Sequence, residues 1–353
     1  VKLTKIAIGI AAFSLLATCA ANAAVKWSDE SYEQILARAK QENKYVFIDF
    51  YATWCGPCKR MDAKTFTDAK VQDLLNSMIA ADWDAEKDPH VDVAKKYKVS
   101  AYPTLLVIAP DGNEVDRFLG YMEPADFIKT IDGYRNGVGT IAALEKQLKA
   151  SPDNVELLYQ VGTKHAEAGR SEQAAEPLNK VLKLDPNNAD RNPEILYSLG
   201  EAYYMDGKYA DAKPYFNRLV TEYKNSEIAP DGYKRLAGIE YKMGNNDAAV
   251  AMMEKTMIGK ENDAGALNGF AWFCAQRKIG LDKALPVAQK AADLSGRDPG
   301  ILDTLAEVYF ARGEFDSAVK VEEEALSKNP TDQYTKDQIA KFKKAKDDSK
   351  SKT

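Results

Sequence analysis

Apolar residues are arranged along this chain in two regimes, one on either side of residue 137. In the first they come as short dense runs at 45–51, 79–84, 104–109 and 114–120. Runs of that length, rich in aromatic and branched residues and bounded by turn formers, predict buried β-strands, with 45–51 the central one. An amphipathic stretch at 28–43 predicts a helix before the first strand. A further helix is expected after it, a short one at 91–97, and another at 124–134. Between the last two strands, Pro110-Asp111-Gly112-Asn113 predicts a hairpin turn, because Pro presets the first corner and Gly or Asn accepts a positive φ. Gly133, Gly137 and Gly139 mark the end of this unit, and 138–154 is expected to be a linker helix.

Beyond it strand-like alternation almost disappears. Glycines recur at Gly169, Gly207, Gly244, Gly280 and Gly313, in steps of 38, 37, 36 and 33 residues. Ala174, Ala212, Ala249 and Ala318 each follow one of these glycines by five residues, and Ala284 follows Gly280 by four. A small residue therefore returns at one place on the second helix of a repeated helix–turn–helix unit. A length of 353 residues suits two such domains better than one core.

The segment before residue 24 reads differently. Lys2 and Lys5 precede an apolar run at 6–17, which is followed by small residues ending in Ala21-Asn22-Ala23. Twelve apolar residues are too few to span a bilayer, so the expectation is a signal peptide at 1–23, cut after Ala23, and an exported, periplasmic protein. Lipid anchoring through Cys19 is the lesser alternative, because Thr18 stands where that motif has Gly, Ala or Ser. An initial Val fits an alternative bacterial start codon, or simply the way the sequence was written down. Removing the segment takes the net charge from −5 to −7, and no basic cluster with interleaved aromatics occurs, so nucleic acid is not an expected partner.

Candidate chemistry begins at Trp54-Cys55-Gly56-Pro57-Cys58. A C-x-x-C pair can be half a zinc site, a haem attachment or a redox dithiol. Haem attachment needs His after the second cysteine, where Lys59 stands. Zinc needs two further soft ligands, and Cys274, His90 and His165 are isolated in separate segments. No metal and no cofactor is expected. A redox dithiol remains, placed where a buried strand meets a helix whose first amides are unpaired and favour a thiolate. Asp49, six residues before Cys55 in the apolar strand, is the candidate base. Burial would raise its pKa towards neutrality and let it take the proton of Cys58; the alternative is an Asp turned to a polar edge.

The stretch from Phe47 to Lys59, together with Tyr102-Pro103-Thr104, resembles the thioredoxin superfamily over residues 26–136. The long connection after Cys58 is closer to its periplasmic disulfide-interchange members. The resemblance implies a central mixed sheet flanked by helices, with Cys55 as the exposed attacking thiol and Cys58 as the resolving one. It also implies a substrate-binding surface of Trp54, Gly56, Pro57, Tyr102 and a cis Pro103. Tyr102 is bulkier than the usual aliphatic residue there, and the family's lysine on the second strand aligns near Ala80.

Residues 155–330 resemble tetratricopeptide repeats, an all-α solenoid. Leu196, Gly200, Tyr203, Ala212 and Phe216 match the pattern in the second unit, and Leu302, Ala306, Tyr309, Ala318 and Pro330 in the fifth. Gly162, Ala174 and Pro186 match in the first, whereas Ala237 and Ala271 replace the early Gly of the third and fourth. A capping helix and polar tail are expected at 331–353. The pattern places Glu156, Tyr159, Glu194, Tyr197, Glu201, Tyr204 and Tyr241 on the concave face, an acidic and aromatic groove suited to basic or backbone-presenting segments. Cys274 and His165 read as packing residues, His90 as a helix start without a partner, and Asp82, Asp84, Glu86 and Asp88 as a solvated edge. With the expected signal peptide, the resemblances imply an exported thiol–disulfide oxidoreductase that reduces disulfide-containing exported proteins and docks them on a repeat arm. Its electron donor would be an unidentified one, such as a membrane thiol–disulfide carrier. The alternatives are an oxidase or isomerase, or a repeat scaffold or chaperone with secondary redox activity.

Overall fold

The computed structural model describes residues 24–350, so the expected signal peptide and Cys19 lie outside the described residues. Helix α1 (Tyr32–Glu42) starts at Ser31, whose hydroxyl accepts from the Gln34 amide while Gln34 reaches back, a capping box that satisfies two orphan donors. It ends at Asn43 in the left-handed region, and buries Tyr32, Ile35 and Ala39. The strands are β1 (Val46–Tyr51), β2 (Ile79–Asp84), β3 (Thr104–Ile108) and β4 (Glu114–Leu119), in sheet order β2-β1-β3-β4. β1 runs parallel to β2 and antiparallel to β3, and β3 pairs antiparallel with β4. The expected central strand is indeed flanked on both sides.

Alternation along β1 divides the core. Phe47, Ala80, Leu105 and Val107 pack on one face with Met61, Phe66, Leu75, Phe127 and Ile131. Ile48, Phe50, Ala81, Trp83 and Leu106 pack on the other with Ile35, Ala39 and Tyr97. A parallel pair needs a crossover, and the segment after Cys58 supplies it. One helix was expected there. Instead α2 (Gly56–Arg60) runs into a π-helical turn (Met61–Thr65), and α3 (Ala69–Asn76) starts afresh at Asp68, which accepts from the Lys70 and Val71 amides. Thr65 Oγ1 donates to the Met122 carbonyl at 2.6 Å, which fastens the turn to the segment before α5 (Pro124–Arg135). The short α4 (Val91–Lys96) completes this unit.

The chain divides into two compact units between Ala143 and Leu144, inside α6 (Ile141–Ala150) rather than at the glycines near 137. Asp116 on β4 explains the extension: its buried carboxylate accepts the Ile141 amide at 2.8 Å and so ties the start of α6 to the sheet.

The second unit is helical throughout its described residues. Five antiparallel pairs follow one another: α7 (Val155–Glu167) with α8 (Ser171–Leu184), α9 (Arg191–Met205) with α10 (Tyr209–Glu222), and α11 (Ala229–Lys242) with α12 (Asn246–Lys255). The last two are α13 (Ala264–Arg277) with α14 (Leu281–Leu294) and α15 (Pro299–Ala311) with α16 (Phe315–Lys328), and α17 (Gln333–Lys350) packs on α16. The recurrent glycines Gly169, Gly207, Gly244, Gly280 and Gly313 all have φ between 58° and 82°, the left-handed conformation that the inter-helix turn requires. Ala174, Ala212, Ala249, Ala284 and Ala318 are all fully buried. In the fourth pair the turn differs, because Lys278 is also left-handed and Gly280 lies against Val250.

Candidate functional site

β1 delivers the chain to Cys55, which is the N-cap of α2, with Pro57 in the first turn. Pro suits that position because its missing N–H would have been unpaired. Cys55 and Cys58 are joined as a disulfide with Cα atoms 5.3 Å apart, and the Cys58 amide donates to Cys55 Sγ at 3.0 Å. The two residues are equally covered, at 2% and 3% exposure, so greater exposure of Cys55 does not appear in the disulfide form. What separates them is position. Cys55 Sγ accepts from the helix start, whereas Cys58 lies one turn inside.

The rim of the site is aromatic. Trp54 is 66% exposed, yet it is held twice: its Nε1–H donates to Glu86 at 2.9 Å, and its ring meets Tyr102 edge-on at 5.8 Å. Tyr102 and Tyr51 pack against the buried group of Ala52, Cys55 and Cys58, and the Tyr102–Pro103 peptide is cis. A methyl group on Gly56 would meet nothing within 4 Å, so the surface beside the disulfide is open there. Of the expected solvated acidic edge, Asp82, Glu86 and Asp88 are exposed, Glu86 also holding Trp54, and only Asp84 departs from it. Asp84 is buried, pairs with Lys87 at 2.9 Å and accepts the Glu86 amide. His90, expected to lack a partner, stacks on Trp83 at 4.9 Å.

Asp49 is 2% exposed and its Oδ1 has no hydrogen-bond partner, so it does not turn to a polar edge. Burial raises its carboxyl well above the usual range, and the carboxylates of Asp62 and Asp82 push it further in the same direction. The β2 residue in register with Asp49 is Asp82; Ala80, where the family's lysine was aligned, pairs with Phe47 one pleat away. The charge beside Asp49 is therefore negative.

In the helical unit, Tyr159, Tyr197, Glu201, Tyr204 and Tyr241 lie partly buried on α7, α9 and α11, together with arginines that sequence reasoning missed. Arg191 pairs with Glu156 at 3.0 Å and lies 4.9 Å over the Tyr159 ring, while Tyr159 donates to Glu194. Arg235 bonds Glu201 at 2.7 Å and lies 5.2 Å over Tyr204, and Arg277 lies 5.4 Å over Tyr241. Glu156 and Glu201 are thus neutralised while Glu194 keeps only the Tyr159 hydroxyl, so the expected acidic groove is in large part a series of Arg-over-Tyr contacts. The missed signal was an Arg one repeat after each Tyr. Cys274 is fully buried, and His165, also buried, bonds Glu145 at 3.0 Å.

The comparisons with known proteins match the two units in turn, with their junction at residue 135, beside the glycines near 137. A thioredoxin-like domain model matches residues 32–135, and tetratricopeptide repeat models match 135–193, 194–226 and 300–329. The two repeats with Ala237 and Ala271 in place of the early Gly lie between the matched segments. Over 101 residues the chain is 38% identical to the thiol:disulfide interchange protein DsbD of Yersinia pestis, covering 28% of this chain and 17% of that one. It is 41% identical over 92 residues to protein disulfide isomerase-like 2-2 of Oryza sativa subsp. japonica, covering 26% and 24%. A crystal structure of the MamA protein is 23% identical, covers 50% of this chain and 92% of that one, and superposes with a TM-score of 0.39. The chain thus spans less than a quarter of the DsbD relatives it matches. No helix among the described residues is long and apolar enough to cross a membrane. Strand order, the disulfide at the strand–helix junction and the family matches lead to one conclusion: this chain carries a thioredoxin-like domain followed by tetratricopeptide repeats.

Proposed function

We propose that the protein is an exported thiol–disulfide oxidoreductase that reduces protein disulfides through Cys55 and Cys58, with the repeat unit engaging partner proteins. The observation that carries this reading is the cysteine pair itself, closed across the first turn of α2 with Cys55 Sγ accepting the Cys58 amide. In the reduced protein the same amide and the helix start stabilise a thiolate on Cys55. That thiolate attacks a substrate disulfide, forming a mixed disulfide and releasing one substrate sulfur. Cys58 then loses its proton to Asp49 and attacks Cys55, which closes the intramolecular disulfide and releases the second substrate sulfur. The dithiol is oxidised by two electrons and the substrate disulfide is reduced by two.

Trp54 and Tyr102 offer apolar contact to the polypeptide that carries the disulfide, and cis Pro103 shapes the same lip. Export rests on Lys2 and Lys5, the apolar run that follows and Ala21-Asn22-Ala23. The likeness to DsbD supports the interchange chemistry, and the electron donor in this reading is a membrane thiol–disulfide carrier. The test is insulin precipitation by the chemically pre-reduced protein, with Cys55→Ser as the control. Precipitation by the wild type alone is expected. A protein that instead oxidises dithiol peptides and leaves insulin soluble is an oxidase.

A further inference from the structure

We propose that Asp82 is a positioning residue for the second chemical step, acting through Asp49 to set the pH at which mixed disulfides on Cys55 are resolved. The inference rests on the Cys55/Cys58 reading above. Asp49 and Asp82 are in register on adjacent parallel strands, so their side chains leave the sheet on the same face. One pleat back, Phe47 and Ala80 show which face that is: both pack with Met61 of the π-helical turn and with Leu105. Asp62 lies in that same turn, four residues beyond Cys58.

Around Asp49, β2 contributes Asp82 and β3 contributes Leu105 in register; β1 itself contributes Tyr51 on the same face, α2 the two cysteines, and the π-helical turn Asp62. Asp84, next along the face on β2, is neutralised by Lys87 at 2.9 Å. Neither Asp62 nor Asp82 has a Lys or Arg ion-pair partner among the described residues. The charges acting on Asp49 are thus both negative, and both oppose its ionisation in addition to burial.

This arrangement governs the step in which the mixed disulfide is resolved. Cys58–SH passes its proton to the Asp49 carboxylate, the Cys58 sulfur bonds to Cys55 Sγ, the bond between Cys55 and the substrate sulfur breaks, and the substrate thiolate leaves. Only ionised Asp49 can accept that proton. A neighbouring negative charge lowers the ionised fraction more than it raises base strength, so the net effect below the midpoint is a slower step. Cys55 therefore holds its substrate covalently for longer at lower pH and releases it as pH rises.

The test uses the full reduced chain and 5,5′-dithiobis(2-nitrobenzoate) in stopped flow, across about pH 5 to 9, where both steps titrate. Attack by Cys55 releases the first nitrothiobenzoate and resolution by Cys58 the second, so the two steps are read separately. Asp82→Asn is expected to speed the second phase about threefold at neutral pH, the roughly tenfold gain in ionised Asp49 from about one pKa unit being partly offset by its lower base strength, and to shift its profile downward. The first phase is the internal control and keeps its profile. Asp82→Glu restores the slow second phase, a rescue that a merely structural role would not produce. A second phase that responds to Asp49→Asn but has the same pH profile in wild type and Asp82→Asn overturns this inference alone. A second phase indifferent to Asp49→Asn, or two unchanged phases in Cys55→Ser, overturns the underlying reading and this inference with it.

Discussion

The Cys58 amide donates to Cys55 Sγ at 3.0 Å, so the sulfur at the start of α2 caps the helix that carries its partner. That single contact makes the two thiols unequal although both are covered to the same degree. Negative charge on Cys55 meets an amide already aimed at it, whereas Cys58, inside the first turn, needs a base from elsewhere.

Cys274 should be inert. It is fully buried on α13, and burial pushes its thiol up to about 12. Iodoacetamide applied to the Cys55→Ser/Cys58→Ser protein is expected to label it only after unfolding in guanidinium. Rapid labelling of the native protein, read by mass spectrometry, would show that Cys274 is open to chemistry.

Glu322 on α16 should make the repeat unit less stable as pH rises. It is completely buried, neither carboxylate oxygen has a hydrogen-bond partner, and Asp303, Glu307 and Asp332 add negative charge against the single opposing Lys341. Its carboxyl is raised from 4.5 to about 8, so the folded state binds a proton that the unfolded state releases. The contribution is fully present below pH 4.5 and is lost as pH rises through about 8. Glu322→Gln, which cannot ionise, is expected to melt about 4 °C higher than wild type at alkaline pH and to match it in acid. Calorimetry at the two pH values checks this; an equal difference at both contradicts it.

Gly200 on α9 sits where a Cβ would lie 2.6 Å from the buried ring of Phe216 on α10. Gly200→Ala forces that pair apart and is expected to cost about 1–3 kcal/mol in urea unfolding. Gly56→Ala has open space, so any loss of reductase activity there would reflect the approach of substrate rather than packing.

How much of this was legible depended on whether the cause was local. β1, β2, β4 and the repeat glycines were readable because apolar runs and left-handed turns leave marks within a few residues. The cysteine pair was readable because it stands beside such a run. Contacts between distant residues were not. Asp116 caps α6 from 25 residues away, which moved the unit boundary inward from the glycines to Ala143. The π-helical turn at Met61–Thr65 carries no mark of its own and divided an expected single helix. The partner of Asp49 on β2 depends on strand register, which placed Asp82 rather than Ala80 beside it. Arg191, Arg235 and Arg277 escaped notice because each completes a contact begun one repeat earlier.

The central claim, that Cys55 attacks and Cys58 resolves, is tested most directly by trapping. Cys58→Ser and Cys55→Ser proteins, each in a Cys274→Ala background, are expressed with the full sequence, and extracts are run on non-reducing gels. Cys58→Ser is expected to carry mixed disulfides to other proteins that vanish on reduction, and Cys55→Ser to carry none. Equal adducts on both variants, or adducts on Cys55→Ser alone, would contradict the assignment.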